Sequence, residues 1–161
     1  MISFVLPVLI DLLAEQGISK TQLLENTGLE GLDLRKTQLF SAEQADEICG
    51  RALALADDSL LGIKLGTRLD MVSLGILGYA LMTSATVDDV LKLLVRYKRA
   101  LLPSVRIDLI ASDGSVELRS AAPHLPQALE QFYKDALYAG LVTNLKLLTD
   151  SQSAVAELEL N

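Results

Sequence analysis

Through the first hundred residues, apolar side chains recur at every third or fourth position, a spacing that predicts amphipathic helices. Polar capping residues and glycines divide this pattern into separate helices. Ser41 followed by Gln44, for example, has the spacing of a capping box at a helix start. With one longer helix further along the chain, the predicted helices cover 3–16, 19–28, 41–56, 60–66, 74–84, 86–102 and 126–149.

The period changes after the sixth helix, where apolar and polar residues alternate as they do in a β-strand. Asp113-Gly114 interrupts the alternation with a tight-turn dipeptide, which predicts a β-hairpin over 104–121. Residues 154–160 alternate in the same way and predict a third strand. The predicted fold class is therefore α+β: an N-terminal helical bundle, then a small antiparallel sheet of hairpin and third strand, packed on the long helix 126–149.

Glycines within the predicted helices indicate places where another part of the chain packs closely, because glycine weakens a helix interior. Gly75 and Gly78 lie on one side of their helix, and Gly62 and Gly66 are four residues apart. Gly140 lies in the apolar stripe of the long helix. That stripe consists of Leu129, Phe132, Tyr133, Ala136, Leu137, Gly140, Leu141, Asn144, Leu147 and Leu148.

Composition and charge narrow the functional classes. Half of the 161 residues are hydrophobic, which excludes a disordered chain, and the net charge of −7 disfavours DNA binding by this chain alone. Cys49, the one cysteine, excludes an internal disulfide, and we predict that it faces the core as an inert thiol. The first apolar stretch is too short to cross a bilayer and lacks a basic n-region, so we expect a cytoplasmic protein with no membrane partner.

The sequence offers no recognisable catalytic constellation. His124, the one histidine, stands between two prolines, and no nucleophile motif such as G-x-S-x-G accompanies it. No glycine-rich motif for nucleotide phosphates is present, and one histidine with one cysteine is too few for a structural zinc site. We therefore expect no enzymatic activity, no cofactor and no metal. A small hydrolase that depends on His124 is the remaining enzymatic alternative.

Polar residues on the apolar faces of predicted helices are candidates for a small-molecule site. Lys98 falls within the apolar face of helix 86–102, where its ammonium either reaches water or meets an anion inside. Asn144 lies among leucines and needs a hydrogen-bond partner. The tyrosines are also compatible with core rings whose hydroxyls reach water. The candidate ligand-binding residues are Tyr79, Tyr97, Lys98, Tyr133 and Asn144.

Three segments together resemble the N-terminal sensor domain of AraC/XylS-type bacterial transcription regulators. They are LGTRL at 65–69, LGILGYALMTSATV at 74–87 and LVRY at 94–97. The order of elements is also similar: early helices, the glycine-leucine helix, a helix ending in R-Y, a hairpin, a long helix and a further strand. The subgroup that the chain resembles includes regulators of ornithine and related amino-acid use.

The resemblance implies an arabinose-binding-like domain for effector sensing and oligomerisation, which controls a C-terminal pair of helix-turn-helix motifs. We expect residues 1–161 to form one truncated domain without that DNA-binding part, so that contact with DNA is made only through the missing part. We expect a small anionic or zwitterionic metabolite between helix 86–102, the long helix and the hairpin, with its carboxylate at Lys98. The unpaired edge of strand 154–160 would allow a homodimer. A dimerisation module without a small-molecule site is the alternative.

Overall fold

The structure, a computed structural model, describes residues 5–31, 33, 40–112 and 115–149. Within these ranges a helical layer packs on an antiparallel hairpin, which confirms the predicted α+β class. The predicted strand 154–160 and the predicted turn at 113–114 lie outside the described residues. The elements are α1 (Val5–Glu15), α2 (Lys20–Leu24), α3 (Ala42–Ala56), α4 (Leu61–Arg68), α5 (Gly75–Met82), α6 (Val87–Leu101), β1 (Arg106–Ser112), β2 (Ser115–Ala121) and α7 (Gln127–Thr149).

Side-chain caps fix the beginnings of α3 and α6. Ser41 Oγ accepts a hydrogen bond from the Gln44 backbone N–H at 3.2 Å, and Gln44 Oε1 accepts one from the Ser41 N–H at 3.0 Å. The predicted capping box is thus confirmed. Thr86 Oγ1 accepts from the Asp89 N–H at 3.1 Å and begins α6. At the other end of α3, Asp57 adopts the left-handed conformation (φ 45°), which ends the helix.

The closest helix contact is between α4 and α7, where backbone packs directly on backbone. A Cβ atom added at Gly62 would lie 2.5 Å from the Phe132 carbonyl oxygen. One added at Gly66 would collide with the Ala136 carbonyl oxygen and lie 2.8 Å from the Gly140 nitrogen. The tight packing that the glycines predicted is confirmed, since neither position of α4 has room for any side chain.

The two glycines of α5 have different roles, so the prediction that both admit a neighbouring backbone is only half right. Gly78 lies against the Met71 carbonyl, with no room for a Cβ atom between them. Gly75 has open space around it, and its requirement is conformational, because its φ is +57° at the helix start. Periodicity places both glycines on one side of a helix but cannot separate these two causes.

The hairpin is fixed to the helices by hydrogen bonds at both strands. In β1 the buried Ile107 packs in the core, and its carbonyl oxygen accepts a 2.6 Å hydrogen bond from Lys98 Nζ of α6. In β2 the Ser120 hydroxyl donates to Tyr138 Oη of α7 at 3.0 Å, and the Tyr138 hydroxyl donates to the Leu118 carbonyl oxygen at 3.3 Å. These hydrogen bonds hold the hairpin against both α6 and α7.

Two clusters of buried side chains form the interior. The main core joins α1, α3, α4, the hairpin and the first part of α7. The C-terminal part of α7 packs instead on α5 and α6, so a different side of the helix is buried there. The predicted apolar stripe of α7 is therefore wrong in this part. Leu147 is 66% exposed, whereas Leu145 is buried. The second core consists of Met71, Leu77, Leu81, Val90, Leu101 and Leu145.

Candidate ligand-binding site

A cavity of about 100 Å³ lies between α4, α5, α6 and α7, where the two cores meet. Its wall is almost wholly apolar, and no described residue that lines it carries an ionisable carboxylate, ammonium or guanidinium group. Leu74, Leu94 and Leu141 are half-buried, so the wall approaches solvent at these three leucines. The leucines of the lining are Leu65, Leu69, Leu74, Leu81, Leu94, Leu101, Leu102, Leu137, Leu141 and Leu145.

Asn144 supplies the wall with a polar group that has an unused acceptor. The residue is 7% exposed, and its Nδ2 donates to the carbonyl oxygens of Leu69 and Gly140, each at 2.7 Å. Its Oδ1 is buried and has no hydrogen-bond partner among the described residues. Buried polar atoms in folded proteins nearly always have a partner, so this oxygen is an exception within the described part of the chain.

Tyr133 supplies a second polar group, but its hydroxyl is already engaged. It donates to Asp46 Oδ1 at 2.7 Å, while Ser104 Oγ donates to Asp46 Oδ2 at 2.6 Å. Burial, with contributions from the neighbouring Cys49 and from Asp46, raises the pKa of Tyr133 above its ordinary value, so the hydroxyl stays protonated. This cluster joins α7, α3 and the segment between α6 and β1.

Cys49 also lines the cavity, as a buried and uncharged thiol. Burial raises its pKa from 9.0 to about 12, so at neutral pH the reactive thiolate is absent. The predicted burial in the core is confirmed. The thiol therefore contributes apolar surface to the wall.

The five candidate residues from the sequence do not come together at one place. Tyr133 and Asn144 line the cavity, whereas the other three lie outside its wall. Lys98 Nζ bonds to the Ile107 carbonyl oxygen and lies 3.9 Å from Asp108 Oδ1.

The remaining two candidates are exposed tyrosines. Tyr97 is exposed on α6, with the Arg96 guanidinium 5.9 Å from its ring centroid. Tyr79 is 68% exposed, on the outer face of α5. The hairpin, which was expected to contact the ligand, contributes no residue to the described wall.

Sequence reasoning missed Asp46 and Ser104, which hold Tyr133 in place. Asp46 stands three residues before Cys49, at the edge of the apolar stripe of α3, and an acid there is equally typical of a solvated helix flank. Its tyrosine partner is 87 residues away in the chain. No local pattern connects two such positions.

The described residues give no indication of other kinds of site. Among them, no three histidine, cysteine, aspartate or glutamate side chains are grouped so as to hold a metal ion. His124 is exposed in the connection to α7. In the same part of the chain, no helix has the length and apolar character needed to cross a bilayer.

Comparison with known proteins gives consistent relationships. Residues 17–161 match the family model described as the arabinose-binding domain of AraC transcription regulators, N-terminal. The ornithine utilization regulator of Pseudomonas aeruginosa is 33% identical over 135 residues, which cover 83% of this chain and 40% of that protein. Uncharacterized helix-turn-helix type transcriptional regulators of Mycobacterium tuberculosis and Mycobacterium bovis are each 32% identical over 140 residues, covering 84% of this chain and 40% of theirs.

The two mycobacterial relatives are named as transcriptional regulators, and the Pseudomonas relative is named as a regulator. The matched region covers about 40% of the length of each of them. The predicted resemblance, including its subgroup, is thereby confirmed.

Proposed function

Because this chain belongs to the N-terminal arabinose-binding domain family of AraC transcription regulators, we propose that it is the effector-binding domain of a bacterial one-component regulator. A small molecule occupies the leucine-lined cavity, and its presence controls a DNA-binding domain outside this chain. The net charge of −7 disfavours contact between this chain and the phosphate backbone, which supports the proposal that another part of the regulator contacts DNA. Such a regulator acts in the cytoplasm.

The observation that carries this proposal is the combination of an apolar cavity with one unpartnered polar atom. Small-molecule sites are typically concave and apolar, with a few polar groups that orient the ligand. The cavity has this character, because its wall is apolar and includes Asn144, whose buried Oδ1 has no hydrogen-bond partner among the described residues.

The position of the cavity suggests how occupancy is transmitted. On one side α4 and α7 are in backbone contact and cannot approach further. On the other side α5 and α6 meet α7 through side chains of the second core. A ligand between them therefore acts on α5 and α6, because packed side chains rearrange where abutting backbones do not.

The sequence leads us to expect an anionic or zwitterionic effector, and this expectation is a separate claim within the proposal. One relative is named an ornithine utilization regulator, so ornithine and similar amino acids are natural first compounds to test. A carboxylate would have to displace Lys98 Nζ from the Ile107 carbonyl oxygen, since that ammonium is already bonded. Lys98→Ala should then abolish the binding of an anionic effector, and unchanged affinity would remove Lys98 from the site.

Ligand screening on this chain tests the proposal directly. With a collection of amino acids, sugars and neutral metabolites, we expect at least one compound to raise the melting temperature. A ligand at one hundred times its dissociation constant stabilises the fold by about 2.7 kcal/mol, and about 2–4 °C per kcal/mol is typical for a domain of this size.

A matched pair of variants identifies the cavity as the place of binding. Leu141→Phe adds volume to the wall and should abolish the shift, whereas Leu147→Phe, on the exposed side of the same helix, should leave it intact. A ligand shift that responds equally to both variants would place the ligand elsewhere. No shift with any compound would count against the whole proposal.

Self-association is a second candidate function, favoured by an exposed apolar surface around α5. Val72 and Ile76 are 84% and 87% exposed, and Tyr79 and Met82 continue the surface. Single exposed apolar residues are ordinary, but a group along one short helix is typical of a contact surface. A second copy of this chain is the proposed partner.

Sedimentation of the wild type and two variants tests this alternative. Ile76→Lys should shift a dimer towards monomer, whereas Ile63→Lys, which changes an exposed isoleucine on α4, should not. A wild type that remains monomeric at several hundred micromolar would refute self-association.

A further inference from the structure

The composition of the cavity wall defines a class of ligand. We infer that the occupant inserts a hydrocarbon body, an alkyl chain or an apolar ring system, into this cavity and keeps its polar group in water at the edge of the wall. Such a ligand differs from a hydrophilic metabolite, whose polar groups are spread over the whole molecule. This inference rests on the proposed function, since it concerns the same cavity.

The polar side chains of the wall have little to offer a ligand. Asn144 uses both protons of its Nδ2 on the carbonyl oxygens of Leu69 and Gly140, and its Oδ1 exposes less than 1 Å². The Tyr133 hydroxyl donates its proton to Asp46 at 2.7 Å. A molecule inside the cavity therefore meets an almost wholly apolar surface. A polar group placed there would lose its hydrogen bonds to water without replacement.

Two cations on the surrounding helices are also bonded elsewhere. Lys98 Nζ of α6 donates to the Ile107 carbonyl oxygen at 2.6 Å, and the Arg68 guanidinium of α4 makes two hydrogen bonds of 2.7 Å to the Glu15 carboxylate. No described residue that lines the cavity carries a carboxylate, ammonium or guanidinium group. An ion within the wall would therefore lose its hydration without gaining a counter-charge.

The cavity is half-open, which leaves a place for the polar end of a ligand. Leu74, Leu94 and Leu141 are the half-buried leucines at this edge of the wall. A carboxylate or hydroxyl at the edge keeps its hydration, while the hydrocarbon covers the leucines inside. Each methylene that moves from water onto an apolar wall is worth about fourfold in affinity. Affinity should therefore follow the length of the chain more than the charge of its end group.

Titrations with 1-hexanol, 1-octanol and octanoate, followed by the amide chemical shifts of α7, test the inference. We expect octanol to bind about fifteenfold more tightly than hexanol, because it has two further methylenes. Octanoate should bind about as tightly as octanol, since its charge stays in water. An affinity that does not depend on chain length would overturn the inference.

The zwitterion 8-aminooctanoate is the matched control for octanoate, because it has the same chain with a charge at each end. One of its charges has to enter the wall, so we expect binding weaker than that of octanoate by about tenfold or more. Equal binding of the two compounds would show that the wall accepts an ion, and would overturn the inference.

Three variants test whether the chain lies in the cavity. Leu94→Asn places an amide in the wall and should weaken octanol binding by about tenfold. The same substitution at Leu147, which is exposed on α7 and outside the wall, should leave the affinity unchanged. Ile76→Lys, on the exposed apolar surface of α5, should also leave it unchanged. A loss of octanol binding in Ile76→Lys but not in Leu94→Asn would place the chain on that surface and overturn the inference. If Leu94→Asn fails to fold, the titrations of the wild type and of Ile76→Lys still decide the question.

Failure of the inference can be distinguished from failure of the proposed function. If sugars or hydrophilic amino acids from the ligand screen bind, Leu141→Phe abolishes that binding and no alkanol binds, the inference is wrong and the proposed function stands. If no compound of either kind binds, both are wrong.

Discussion

Replacement of Gly66 by alanine tests whether the contact between α4 and α7 is as close as the structure indicates. The added Cβ atom would collide with the Ala136 carbonyl oxygen and lie 2.8 Å from the Gly140 nitrogen. Both obstacles are backbone atoms, so no rotation of a side chain relieves the clash. One of the two helices has to move along its length, and the buried leucines on either side move with it.

The magnitude follows from two opposing terms. Overpacking of a well-packed core costs about 1–3 kcal/mol, and we expect the upper end because backbone atoms are involved. Alanine is about 1 kcal/mol better than glycine within a helix, which offsets part of this. The net destabilisation is therefore about 2 kcal/mol, or about 4–8 °C in melting temperature for a domain of this size.

The assay is urea and thermal unfolding of Gly66→Ala beside a control, Gly50→Ala. Gly50 lies within α3, and a Cβ atom added there meets nothing within 4 Å. The same substitution should therefore stabilise the protein at this position by about 0.5–1 kcal/mol. A Gly66→Ala variant as stable as the wild type, or one that shifts with the same sign as Gly50→Ala, would refute the backbone contact.

Three further predictions concern polar groups. Tyr133→Phe removes one donor from Asp46 and should cost about 1–2 kcal/mol in urea unfolding; no loss of stability would contradict the hydrogen bond to Asp46. Cys49 should resist a disulfide reagent at pH 8 in the native state and react once the protein is unfolded, and fast labelling of the native state would refute its burial. The folding stability that is linked to its raised pKa should be lost as the pH rises from 9.0 towards 12. The Lys64 ammonium and the Leu60 N–H lower the pKa of Asp58. The contribution of Asp58 to folding stability is therefore present above about pH 3.8 and is lost as the pH falls further. Asp58→Ala should flatten the acid limb of a stability–pH curve, and an unchanged limb would assign it to other carboxylates.

The features that could be predicted from the sequence are those set by short stretches of chain. The capping box of Ser41 and Gln44 and the cap at Thr86 depend on residues three positions apart. The hairpin depends on alternation around one turn, and its two strands pair antiparallel from Arg106 opposite Ala121 to Ser112 opposite Ser115. In each case the interacting residues are neighbours, so the local pattern contains the whole cause.

The site was predicted less completely because its geometry depends on distant parts of the chain. Periodicity places Lys98 and Asn144 on apolar helix faces, but it does not say what each face meets. Lys98 meets a carbonyl oxygen of β1, and Asn144 meets the end of α4. Tyr79 belongs to a helix that is apolar on both sides, so the pattern gave no reason to place its ring on the outside.

The Leu69–Leu74 segment connects the cavity to α5, and its contacts indicate where the proposed ligand would act first. Asn144 donates to the carbonyl oxygen of Leu69, the residue that ends α4. Two residues later the Met71 carbonyl lies against Gly78, where no side chain separates the two backbones. A ligand that displaced Asn144 would move this segment, and the displaced segment would carry Gly78 with it because the contact cannot compress. Since the glycines of α4 pack directly on the α7 backbone, such a response would appear in α6 and in α5, the helix whose outer face is exposed and apolar.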